Sequence, residues 1–133
     1  MEAVLETVVR CTEIDVNGHV NNARYVEYLE WGREAWYEAH GFPYERLLAL
    51  GAMTVVVSLS LNLRHPCHQG DRLRIVTRPE RRGRSSFALA QRVERGDGVV
   101  AADAVVTVVT VDPATRRPRP LPEDFARLFP PPA

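Results

Sequence analysis

Residues 13–25 read Glu-Ile-Asp-Val-Asn-Gly-His-Val-Asn-Asn-Ala-Arg-Tyr, and their parsing decides the fold. Upstream, residues 4–12 carry the β-branched run Thr7, Val8 and Val9 and read as a strand. Asn17-Gly18 is turn chemistry, since both residues tolerate positive φ. Asn21 or Asn22 then caps a helix that runs to His40 and is closed by Gly41 and Pro43. On a helical wheel Arg24, Glu27, Glu30, Glu34 and Glu38 form one polar stripe. Tyr25, Val26, Tyr28, Leu29, Ala35, Trp36 and Tyr37 spread over a wide opposite arc, so the helix is expected to be largely wrapped. At 1.5 Å per residue it is roughly 27 Å long, which suits one central helix in a curved sheet. Trp31 falls on the polar side, where an exposed indole points to a subunit contact.

Beyond residue 51 the pattern switches to strands. Residues 53–63 alternate, with Met53, Val55, Val57, Leu59, Leu61 and Leu63 expected on one face. Residues 72–79 form the next strand, Arg81-Arg82-Gly83-Arg84 a hairpin turn, and Phe87, Leu89, Gln91 and Val93 a third alternating run. Gly96-Asp97-Gly98 turns into residues 99–111, apolar on both faces and so expected to be a central strand ended by Asp112-Pro113. Residues 122–129 suggest a short terminal helix. A strand, a long helix and four consecutive antiparallel strands make an α+β fold. The chain, residues 1–133, is expected to be a single domain.

Seventeen basic and seventeen acidic residues cancel, so no global field favours nucleic acid or an anionic membrane. All the basic residues are arginine. Cys11 and Cys67 do not make a disulfide framework, and Cys11 is expected to be a small buried residue in its strand. No signal-peptide pattern or membrane-length apolar run is evident, so a cytoplasmic protein without membrane partners is expected. His65, Cys67 and His68 invite a zinc reading, but a convincing site needs a fourth ligand. They read as a polar turn, and no metal is expected. His40 suits a helix C-terminus, and Arg33, within the apolar arc, is expected to form a structural ion pair.

The corner at 13–25 gathers a carboxylate (Asp15), amides (Asn17, Asn21, Asn22) and an imidazole (His19) at a helix N-terminus. Such a corner can polarise a carbonyl and activate water beside it. Asp-Val-Asn-Gly-His-Val-Asn-Asn-x-x-Tyr resembles the signature of hotdog-fold acyl thioesterases, both the bacterial 4-hydroxybenzoyl-CoA thioesterase-like group and the plant acyl-carrier-protein thioesterases. Tyr28-Leu29-Glu30-Trp31-Gly32-Arg33 is similar to the family's helix, and Val111-Asp112, Arg117-Pro118 and Leu121-Pro122 to its usual ending. The resemblance implies a five-stranded antiparallel sheet wrapped around one long helix. It also implies hydrolysis of an acyl-CoA or acyl-carrier-protein thioester, with coenzyme A present only as part of the substrate.

The resemblance makes Asp15 the general base or the nucleophile, with Asn17 and His19 as helpers. It makes the backbone N–H of Asn22, seven residues on, the carbonyl polariser. Tyr25, Val57 and Leu59 are expected along the acyl pocket. Arg82, Arg84 and Ser85 of the hairpin are candidates for the carrier's phosphates, because guanidinium groups suit them; Arg116, Arg117 and Arg119 have an equal claim. Two departures stand out. Glu13-Ile14-Asp15 replaces the Asp-Thr-Asp of many bacterial members, and the plant enzymes' additional acid is matched here by Pro66. Pairing of Asp15 with Glu13 would need the strand to persist that far. Competing readings are an enoyl-CoA hydratase or dehydratase on the same fold and a non-catalytic acyl-CoA-binding module. Five strands leave an open edge that relatives pair in a dimer, so a homodimer through residues 53–63, or a homotetramer, is expected.

Overall fold

In the computed structural model, which describes residues 1–132, β1 (Ala3–Val8) leads through a 3-10 turn (Cys11–Glu13) and a tight loop into α1 (Asn22–Ala39). β1 is shorter than residues 4–12. After Val8 the chain leaves the sheet, and Glu13 closes the turn by accepting the Arg10 N–H at 2.9 Å and donating its own N–H to the Arg10 carbonyl. Cys11 therefore sits exposed in a turn, not buried in a strand. At the start of α1 the Asn21 side chain accepts the Ala23 N–H at 2.9 Å, the expected cap. At its end Gly41 adopts φ 81°, a left-handed geometry that favours glycine.

α2 (Tyr44–Ala49) follows directly and was not expected from the sequence. Then come β2 (Met53–Leu63), β3 (Arg72–Arg82), β4 (Ser86–Arg95), β5 (Val100–Val111) and α3 (Glu123–Ala126). The sheet order is β1-β3-β4-β5-β2, antiparallel throughout, with α1 packed on one face. β5 is paired on both sides, as its apolar run predicts, and β2 is an edge. The expected hairpin at 81–84 is displaced. Arg81 and Arg82 belong to β3, which carries a bulge at Glu80 just after Pro79, a residue with no ladder donor.

β2 also departs from strict alternation. Val56 pairs with Val108 and Ser58 with Thr107, so Val57 is an extra, bulged residue. The bulge swaps faces halfway along the strand. Thr54 and Val56 share the helix side with Leu59, Leu61 and Leu63, while Met53 and Val55 share the outer face with Ser58, Ser60 and Asn62. Two core clusters lie under the two halves of α1. The first gathers Tyr25, Tyr28 and Leu29 with Ile75, Val93, Ala101 and Ala102. The second gathers Trp36 with Phe42, Phe87, Phe125 and Phe129. Between them Gly32 meets β3 so closely that a Cβ there would run into Ile75.

Candidate active site

The loop between the 3-10 turn and α1 is held by main-chain bonds. Asp15 N–H donates to the His19 carbonyl at 2.8 Å, Gly18 N–H to the Asp15 carbonyl at 3.1 Å, and Ile14 bridges Val20. Gly18 has φ 80°, which an L side chain adopts only with strain. Two further anchors fix the loop to the body. Asn21 N–H donates to the Glu13 carbonyl at 2.8 Å, and Val20 N–H to the Cys67 carbonyl at 2.9 Å.

Within this frame one carboxylate oxygen of Asp15, Oδ1, accepts the Asn17 N–H at 2.9 Å and the His19 N–H at 3.4 Å. The second oxygen, Oδ2, takes no hydrogen bond among the described residues. It is the oxygen left for water or an acyl carbon. Asn17 thus acts through its backbone, and its side chain is exposed. Glu13 is turned the other way. Its Oε1 accepts the Tyr28 hydroxyl at 2.8 Å as well as the Arg10 N–H, and the residue is buried. Burial and that bond push the Tyr28 phenol above its ordinary range. The Glu13–Asp15 pair is not formed, because the chain is no longer a strand at these residues.

Asp15, His19, Asn22 and Tyr25 line one depression of about 430 Å³. Its other wall is Leu63, Arg64, His65 and Pro66. Asn21 uses its side chain on Ala23 N–H and its carbonyl on Arg24 N–H, so the Asn22 N–H is the first-turn donor outside those two bonds. Tyr25 forms the floor; burial, then contact with Cys67, pushes its phenol up. Burial likewise raises the Cys67 thiol. His19 meets His68 edge to face at 5.3 Å. Among the described residues no group of three His, Cys, Asp or Glu is placed to hold a metal.

The wall from residue 63 to 66 was not read from the sequence as part of the site. The one pointer was Pro66, matched to the plant enzymes' acid and now found beside Asp15. Val57, Leu59, Arg82, Arg84 and Ser85 are not brought to the depression within one protomer. Arg82 pairs across the ladder with Phe87, at the opposite end of the strands from Val93 and Ala102, roughly 20 Å away at 3.3 Å per residue. The Arg84 carbonyl accepts the Leu121 N–H, fastening the tail there, and the Ser85 carbonyl accepts the Thr110 N–H of β5. Arg33, expected in an ion pair, has none among the described residues and donates instead to Gln91 Oε1 at 3.2 Å. Its neighbour across the sheet is an amide, so no carboxylate meets it.

An acid and a helix N-terminal residue with an unpaired N–H line one depression, an arrangement that can serve attack on a carbonyl. Residues 9–129 match the thioesterase-like superfamily, and the chain belongs to that family. It is 34% identical over 110 residues to the long-chain acyl-CoA thioesterase FadM of Escherichia coli (strain K12), covering 82% of this chain and 83% of that protein. It is 29% identical over 117 residues to the acyl-CoA thioester hydrolase YbgC of Escherichia coli O157:H7, covering 88% of this chain and 87% of that one. Among solved structures, the YbaW probable thioesterase of Escherichia coli superposes with a TM-score of 0.82 at 29% identity, over 96% of this chain and 98% of that one. A 1,4-dihydroxy-2-naphthoyl-CoA thioesterase from Synechocystis shares the fold, with a TM-score of 0.87 at 18% identity over 97% and 96% of the two chains. The hotdog architecture expected from the motif is the one observed.

Proposed function

We propose that this chain hydrolyses acyl-CoA thioesters through Asp15 and the start of α1. The observation that carries the reading is that the Asp15 carboxylate and the Asn22 N–H line one depression. A thioester carbonyl oxygen seated on the Asn22 N–H is polarised by that donor and by the helix dipole. Asp15, with Oδ1 tethered by the loop and Oδ2 free, then acts as general base on water or attacks directly. His19 borders the same space and orients the attacking group. An acyl-carrier-protein thioester presents the same reacting atoms and remains the alternative carrier.

The working unit is a homodimer formed through β2, whether or not dimers then pair into a homotetramer. β2 is an unpaired edge, with Val55, Val56, Val57, Leu59 and Leu63 exposed along it. Antiparallel pairing of two such edges sets the hairpin end of one copy beside the Asp15 end of the other. That would carry Arg82, Arg84 and Ser85 toward a thioester carrier bound at the partner's depression, which one protomer alone does not. A cytoplasmic setting fits the two free thiols.

The test is free-thiol release from short, long and aromatic acyl-CoAs and from an acyl-carrier protein, with wild type and Asp15→Asn side by side. Asp15→Asn is expected to lose about 10²–10⁴-fold in rate, the usual contribution of general acid–base catalysis, with an unchanged melting temperature. A variant as fast as wild type would remove Asp15 from the mechanism. Water addition to an enoyl-CoA without thiol release would move the chain to the hydratases.

A further inference from the structure

α1 packs chiefly on β1, β3 and β4 and leaves a strip of the inner face open beside β2. One stripe of the helix, at i+3 and i+4 spacings, runs through Asn22, Val26, Glu30, Arg33 and Tyr37. Its first residue lines the Asp15 depression together with Leu63. Its last three line a second cavity of about 470 Å³ together with Thr54 and Val56. The stripe and β2 therefore flank the open strip, a trough with one hollow at each end. Along it Val26 is 42% exposed and Leu59, brought to this face by the bulge, 38%. From Asn22 to Arg33 the helix rises roughly 16 Å at 1.5 Å per residue, comparable with a medium-length acyl chain.

The far end of the trough is polar in an unusual way. Arg33 is 8% exposed and has no carboxylate at ion-pair distance among the described residues. Its one bond goes to Gln91, whose amide is already committed to the Leu29 carbonyl and Thr77. None of its nitrogens is both sealed from solvent and unpartnered, so its remaining donors are open to an acceptor in the cavity. Beside it the Tyr37 hydroxyl lies next to Thr54. The mouth of the same cavity carries Glu30, Glu34, Glu38 and Glu45. Those carboxylates repel an anion, but they do not repel a neutral oxygen.

We propose that this trough joins the two hollows as the acyl channel and that Arg33, Tyr37 and Thr54 bind a neutral hydroxyl or keto oxygen at the far end of the acyl group. The inference rests on the thioesterase reading above, and a second copy on β2 would wall the trough's open side. A saturated chain ending in methyl would displace solvent from the guanidinium without replacing its hydrogen bonds. A chain ending in carboxylate meets the four glutamates.

Medium-chain acyl-CoAs ending in methyl, hydroxyl or carboxylate separate these cases. For each, kcat/KM is measured with wild type, Thr54→Val and Tyr37→Phe, and Kd with the same substitutions on an Asp15→Asn background. Thr54 and Tyr37 are preferred to Arg33, whose removal would also disturb Gln91. The hydroxyl-ended thioester is expected to be favoured over the methyl-ended one by about three- to tenfold, the range of one net hydrogen bond. Each substitution should erase that preference, and the carboxylate-ended thioester should be the poorest of the three. Equal or better handling of the methyl-ended chain, or a preference untouched by both substitutions, overturns the inference while leaving hydrolysis intact. No thiol release at all, with the hydroxyl preference still seen in Kd, overturns the thioesterase reading and supports the channel.

Discussion

The two halves of α1 rest on different kinds of surface. The C-terminal half is clamped by rings: Trp36 lies 6.2 Å from Phe125 and 5.5 Å from Phe129, and Phe87 lies 5.1 Å from Phe125. The N-terminal half rests on aliphatic side chains, Leu73, Ile75 and Val93 with Ala101 and Ala102, and opens at its tip onto the Asp15 depression. Aromatic packing fills space and excludes water. Aliphatic packing holds the other half without rings, and an open tip leaves a donor unpaired. On the proposed reading, one helix serves as an anchor at one end and as a reactive surface at the other. The difference teaches that stability and chemistry can be assigned to separate turns of the same element.

Substitutions that cross this division should behave differently. The largest expected effect is on the anchor. Phe125→Ala removes a fully buried ring and should cost about 3–5 kcal/mol in denaturant unfolding, while activity per folded molecule changes little. A large loss of specific activity in the folded variant would show that the two halves are coupled. At the midpoint, Gly32→Ala forces a methyl against Ile75 and should cost about 1–3 kcal/mol, read from the same unfolding curves. Because Gly32 sits between the halves, its variant is the one expected to lower both stability and turnover. The smallest stability effect belongs to the reactive end. Asn21→Ala deletes the cap bond to Ala23 and should cost about 1 kcal/mol. It should nevertheless reduce kcat, since fraying the first turn misplaces the Asn22 N–H; a stability loss with unchanged kcat would separate that donor from the chemistry.

The same division separates what the sequence made legible from what it did not. α1 was readable to within a residue, because its polar stripe, its capping asparagine and Gly41 are all local signals. β3, β4 and β5 were readable from alternation and turn glycines. The bulge at Val57 was not. Met53 to Leu63 is apolar at every odd position, so nothing local marks the residue at which the ladder skips. α2 is only six residues long and carries no N-terminal side-chain cap. Asp15, His19 and Asn22 could be named together because they lie within eight residues of one another. Their opposite wall, Leu63 to Pro66, is joined to them by the Val20–Cys67 bond, a pairing that no local pattern encodes. Arg33 was misread because burial beside Gln91 is a property of the folded sheet, not of the helix wheel.

The Asp15 loop hangs from main-chain atoms: Asp15 to His19, Asn21 to Glu13, and Val20 to Cys67. Any residue supplies those atoms, so the loop's aim is indifferent to the side chains that line the trough. A protein engineer can therefore treat Val26, Thr54 and Leu59 as an interchangeable cartridge. Swapping them would re-cut the proposed acyl channel while the acid stays where the backbone hangs it.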